Sequence, residues 1–173
     1  MKNVMVDLET MGTGLNSAIV AIGAVEFSVE DGLDRSFYQT VDLQSCLGVG
    51  LQVDGPTVMW WLKQSDAARH ALQLNAVPVM EALRRFADWC GPHPQDVLVW
   101  GNGAAFDNAL LRNAYNRCFM TAPWRYGNDR CYRTLKALRP EIKAVADAGV
   151  SHHALDDAVY QANHAIEILK ALG

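Results

Sequence analysis

Along the first forty residues, apolar positions fall into three short runs separated by turn residues. Val4-Met5-Val6 opens a strand that runs to Glu9. Ala18 to Phe27 is almost continuously apolar, the pattern of a strand buried on both faces. Glu30-Asp31-Gly32 supplies turn chemistry, and Phe37 to Val41 makes a third strand. The pattern predicts a meander, with Met11-Gly12-Thr13-Gly14 as a flexible loop allowing close backbone approach.

Beyond residue 50 the period changes. Pro56 suits a first helical turn continued through Leu62, and Ser65-Asp66 reads as the cap of a second short helix. Val79, Leu83, Phe86 and Cys90 recur at helical spacing, and Gly91-Pro92-His93-Pro94 ends that helix. Val97 to Trp100 is a short buried strand, followed by glycines and a helix from about Ala105 to Arg117. A helix over Cys131–Leu138 stops ahead of Pro140. The last helix, Leu155 to Leu172, carries Leu155, Ala158, Ala162, Ile166 and Leu169 on one face. Antiparallel strands followed by helix–strand alternation predict an α/β fold with a mixed sheet, and residues 1–173 read as a single domain.

Composition excludes several classes. Half the residues are apolar and a fifth charged, as in ordinary globular domains. No apolar run approaches the ~20 residues that cross a bilayer, and Met1-Lys2-Asn3-Val4 leads into a strand without a signal-peptide pattern. Cys46, Cys90, Cys118 and Cys131 have no metal-like spacing and read as free thiols of a cytoplasmic protein. The net charge of −4 argues against nonspecific binding to long duplexes. Its distribution is uneven. Residues 112–143 carry eight basic side chains against two acidic ones, a net +6, while the rest of the chain carries −10. This basic segment is either a local anion contact or a set of solvated arginine-rich helix faces.

Asp7 and Glu9 change the picture most. Two apart on a strand, their carboxylates share a face beside apolar neighbours. Like charges so placed are costly without a cation between them. Asp107, just inside a helix after a glycine-rich turn, and Asp157, on the first turn of the last helix, are able to complete the cage. Oxygen ligands without sulfur suit Mg²⁺ or Mn²⁺. Two such ions ~4 Å apart can hold the attacking and leaving oxygens of a phosphodiester displacement. His152, five residues before Asp157, offers a base that titrates near neutrality. Individually these features are common, and Asp156 is the better helix-cap candidate, with His153 solvent-facing or structural. Trp60 and Trp61 are able to stack on a base, but adjacent helical tryptophans do not face one pocket, so at least one belongs to the core. Phe106 reads as core with a secondary claim on the site.

Asp7-Leu8-Glu9-Thr10, the Phe106-Asp107 step and His-x-Ala-x-x-Asp at His152–Asp157 are similar to the three exonuclease motifs of the DEDD superfamily, His subtype. That superfamily includes ribonuclease T, oligoribonuclease and polymerase proofreading domains. Pro56 to Gln64 and Arg130 to Leu135 resemble its compact phage and bacterial branch. The resemblance implies a ribonuclease-H-like fold with a five-stranded mixed sheet flanked by helices. It implies that Asp7 bridges two metals, that Glu9 and Asp157 hold the ion activating water, that Asp107 helps bind the second, and that His152 takes the water proton. It also implies hydrolysis at single-stranded RNA or DNA 3′ ends to nucleoside 5′-monophosphates, and a possible homodimer. Leu8, Met11, Trp61 and Phe106 are candidate contacts to the terminal nucleotide.

Three rival classes remain. A non-catalytic nucleic-acid-binding module of the same fold would have no need of intact carboxylates and His152. A metal-dependent endonuclease is disfavoured by the His-to-Asp spacing. A glycosidase needs two carboxylates flanking a sugar, an awkward task for two acids on one strand face.

Overall fold

Strand β1 (Lys2–Thr10) lies at the centre of a five-stranded sheet, paired antiparallel to β2 (Ile19–Ser28) on one side and parallel to β4 (Val97–Gly101) on the other. The outer strands are β3 (Gly32–Thr40), antiparallel to β2, and β5 (Asp129–Cys131), parallel to β4, giving the order β3-β2-β1-β4-β5. This computed structural model describes residues 1–145 and 152–173. The mixed sheet and flanking helices are the ribonuclease-H-like arrangement.

Alternation along β1 divides the molecule. Val4, Val6 and Leu8 point into one core layer with Leu83 and Phe86 of α4 (Val79–Cys90) and Leu110, Leu111 and Tyr115 of α5 (Asp107–Arg117). Met5 points the other way, into a layer with Tyr132 and Leu135 of α6 (Tyr132–Leu138) and Ala158, Ala162 and Ile166 of α7 (Ala154–Leu172). The same period of two carries Asp7 and Glu9 onto the α7 side.

Helix α7 packs closely on the sheet through small residues. Ala158, Ala162 and Ala165 are fully buried, and Gly23 of β2 sits where a methyl group would overlap the Ala154 carbonyl and the Leu155 amide. Gly23 pairs directly with Asp7 across the β1–β2 ladder. The first turn of α7 is therefore pressed down beside Asp7.

Two short elements have no strong periodic signal. Helix α1 (Leu43–Gly48) is started by Asp42, whose carboxylate accepts the Ser45 N–H at 2.9 Å. The Ser45 hydroxyl in turn accepts the Val79 N–H at 2.8 Å, capping α4 where Pro78 offers no side-chain acceptor. Strand β5 is three residues of mixed polarity at the sheet edge. Helices α2 (Gly55–Trp61) and α3 (Asp66–Ala71) are capped by Asp54 and Ser65. Cys46, Cys90 and Cys118 are buried and Cys131 half-buried, all as free thiols. Among the described residues no helix is long and apolar enough to cross a membrane.

Candidate active site

Asp7, Glu9 and Asp157 each present an oxygen within 4.8 Å of the others, a spacing that a single cation can bridge. Asp7 arrives from β1 and Asp157 from the first turn of α7, brought together by the Gly23 approach. Asp107, at the start of α5 where the chain leaves β4, lies outside that 4.8 Å group but is near enough for its charge to act on Asp7 and Glu9. Parallel pairing of β1 with β4 ends at Val6–Gly101, so the Leu8 N–H is left over on that side. This N–H and that of Asn102 both pull the Asp107 carboxyl down in pKa, against its burial. Gly101 leaves room for this turn, since a methyl there would press on the Asp107 side chain.

Electrostatics identify the cluster as under-neutralised. Burial, then the charges of Asp107 and Glu9, hold Asp7 protonated well above the usual carboxylate range. Burial, then Asp157 and Asp107, raise Glu9 to about 7. Burial also raises Asp107 to about 7, against the pull of the Leu8, Asp107 and Asn102 N–H groups and of Arg133. Asp157 is raised by burial, opposed by the His152 ring and backbone N–H. The sole neutralising hydrogen bond to Asp7 among the described residues is from Gln161 Nε2, at 2.8 Å to Oδ1. Such a set of hard oxygen donors fits a divalent cation.

His152 stands beside Asp157 with a positive φ of 65°, a conformation that costs a non-glycine residue free energy. Its ring is wedged edge-to-face against Trp60, centroids 4.7 Å apart, and 6.4 Å from Trp61. His153 has a different task. It caps α7 by accepting the Asp156 N–H, and its ring stacks on Tyr38 at 4.3 Å. The cap is thus His153, with Asp156 inside the first turn.

Next to Glu9 opens a cleft of about 540 Å³, lined by Leu8, Trp60, Trp61 and Phe106 among others. Trp61 is only 4% exposed and donates its indole N–H to the Thr10 carbonyl at 2.9 Å, so it forms wall rather than free platform. Trp60, 41% exposed, is the freer ring. Met11 packs against the core; Gly12 and Thr13 of the same loop line the cleft. That loop is tied to the start of α2 by hydrogen bonds. Asp54 accepts the Thr13 N–H at 3.0 Å and its own N–H reaches the Met11 carbonyl at 2.8 Å.

Two further residues shape the site, Gln161 and Gly23, and each carries a faint sequence mark. Gln161 lies one helical turn after Asp157, so i,i+4 spacing would have placed both on the same face. Gly23 interrupts an apolar run, which is itself a signal of close backbone approach.

Proteins of known activity share this geometry's framework. An exodeoxyribonuclease of Enterobacteria phage T4 is 25% identical over 193 residues, covering 91% of this chain and 84% of its own. Among solved structures, E. coli exonuclease I bound to a dA16 oligonucleotide superposes with a TM-score of 0.63 at 18% identity. The match covers 98% of this chain but only 41% of exonuclease I. The nuclease domain of 3′hExo, a DEDDh family member bound to rAMP, gives 0.64 at 13% identity, covering 98% and 92%. These likenesses show the fold. Residues 2–169 match the 3′-5′ exoribonuclease Rv2179c-like domain, and the chain belongs to that family of 3′–5′ exonucleases.

Proposed function

We propose that this domain removes nucleoside 5′-monophosphates one at a time from the 3′ end of single-stranded nucleic acid. In this reading Asp7, Glu9, Asp107 and Asp157 hold a pair of Mg²⁺ or Mn²⁺ ions, and His152 is the general base. The observation that carries it is that Asp7 and Glu9 on β1 meet Asp157 of α7, from the far end of the chain, within reach of one cation, with Asp107 close enough to raise Asp7 and Glu9. There a neutral amide is the sole side-chain donor to Asp7 among the described residues. When bound, the cations supply charge neutralisation at the phosphate and acidify the attacking water.

The chain's own residues do the rest. His152 accepts the proton of a water that attacks the terminal phosphorus, while Trp60 holds its ring against rotation. The new P–O bond forms as the bond to the penultimate 3′ oxygen breaks, and that oxygen leaves as a hydroxyl after taking up a proton. Leu8, Trp60, Trp61 and Phe106 offer an apolar and aromatic seat for the terminal nucleoside. Gln161 fixes the Asp7 carboxylate in one orientation.

The test is a cleavage panel using 5′-labelled single-stranded RNA and DNA, with and without Mg²⁺ or Mn²⁺, and a 3′-phosphate-blocked control. A metal-dependent ladder shortening from the 3′ end, with mononucleotide products, is expected for at least one sugar. Oligonucleotide products from internal cuts, or full activity in chelator, would overturn the reading.

A further inference from the structure

A second cleft of about 410 Å³, between α6 and α7, also borders the acid cluster and shares no lining residue with the aromatic one. Asp157 and Gln161 line it next to the acid cluster, and Asn102, Lys136, Lys143 and Tyr160 are among the residues lining the rest. We infer that this cleft holds the sugar–phosphate backbone of the strand on the 5′ side of the bond being cut, with Lys136 and Lys143 as its phosphate contacts. The inference rests on the exonuclease reading above and assigns the strand's direction through the site.

Chemistry separates the two clefts. The aromatic one offers faces for a nucleoside and no cation. The second offers two ammonium groups, a phenol and an amide, which suit phosphate and ribose oxygens. Neither lysine is ion-paired with a carboxylate among the described residues. Lys136 Nζ is 3.4 Å from Asn102 Oδ1 and 5.0 Å from the Tyr132 ring centroid. Lys143 Nζ donates to the Pro140 carbonyl at 2.7 Å. By contrast Arg112 and Arg139, from the same basic stretch of sequence, are paired with Asp129 and Glu141.

Hydrogen bonds brace the walls of the cleft. His164 bridges it, one ring nitrogen 2.6 Å from the Tyr132 hydroxyl and the other 2.9 Å from the Ile142 carbonyl. Arg133 donates to the Asn102 carbonyl at 2.8 Å, fixing the turn that leads to Asp107. A chain of net charge −4 repels a polyanion at long range, so a strand needs a local cationic seat next to the carboxylates.

A dinucleotide has only the phosphate that is cut; a trinucleotide is the shortest substrate with a phosphate upstream of it. The experiment therefore measures kcat/KM along a ladder of RNA or DNA oligonucleotides from the dinucleotide upward, for the wild type, Lys136→Gln/Lys143→Gln and Lys136→Arg/Lys143→Arg. In the glutamine variant the advantage of longer substrates over the dinucleotide should fall about tenfold, and the salt dependence should flatten by roughly 1.4 log units per log unit of salt, about 0.7 for each lysine. The arginine variant should recover most of both. An unchanged length profile, or equal losses on dinucleotide and longer strands, would overturn the inference. So would relief of inhibition by inorganic phosphate with no change in the length profile, because the cleft would then hold free phosphate. A wild type that cleaves no member of the ladder would instead refute the exonuclease reading.

Discussion

Asp129 and Asp7 are both partly buried carboxylates on strands of the same sheet, and they are provided for in opposite ways. Asp129, on β5, receives the Asn108 amide at 3.0 Å, the Trp124 indole N–H at 2.7 Å and the Arg112 guanidinium at 3.2 Å, which itself rides over the Trp124 ring. Asp7 receives one neutral amide and faces three further acids. A partly buried carboxylate given donors by its own chain ties elements together. One denied them awaits a cation from solution. Neighbouring residues even divide the two tasks: Asp107 turns into the acid cluster, while Asn108 binds the Val99 carbonyl and Asp129.

Substitutions on each side of this contrast should behave oppositely. Asp7→Asn is expected to reduce exonuclease turnover at least about a thousandfold, since several kcal/mol of transition-state stabilisation depend on the cations it helps hold. The same change should raise the melting temperature of the metal-free protein by removing one of the crowded acids. A drop in that temperature would break the comparison. His152→Ala should cost about a hundredfold or more in kcat while leaving Mn²⁺ affinity by calorimetry close to wild type, because the imidazole is assigned to the proton and not to the metal. Asp129→Ala should do the reverse of Asp7→Asn, lowering stability by about 2 kcal/mol in urea titration with little change in metal affinity.

The smallest effect concerns pH. In the folded protein Glu9 and Asp107 release their protons near 7, far above their ordinary 4.5 and 3.8. The folded state therefore holds more protons than the unfolded chain across that window. The cluster's contribution to metal-free stability is greatest below it and declines as pH rises toward 7. Melting curves with chelator should show this decline, and added Mg²⁺ or Mn²⁺ should raise the transition more above neutrality than below it. An equal rise at both ends would mean that the cations do not replace those protons.

Much of this was legible in the chain because its signals are local. Alternation through Val4-Met5-Val6 puts Asp7 and Glu9 on one face, and the spacing of Val79, Leu83, Phe86 and Cys90 gives α4. Strand β5 was not legible: its three residues owe their conformation to pairing with β4, a tertiary effect. Helix α1 was equally silent, because six residues depend on one cap rather than on a periodic face. The division between Trp60 and Trp61 is decided by the Thr10 carbonyl, fifty-one residues away from Trp61 in sequence. The basic segment split between ion pairs and an open cleft only once α6 and α7 were packed.

Gly23 is assigned no contact with substrate, yet the proposed catalytic arrangement hangs on its lack of a carbon. A single methyl there would jack the last helix off the sheet, carrying the fourth acid and the histidine away from the first two. The tightest glycine site among the described residues is thus a vacancy one atom wide, on a strand that supplies no acid to the cluster.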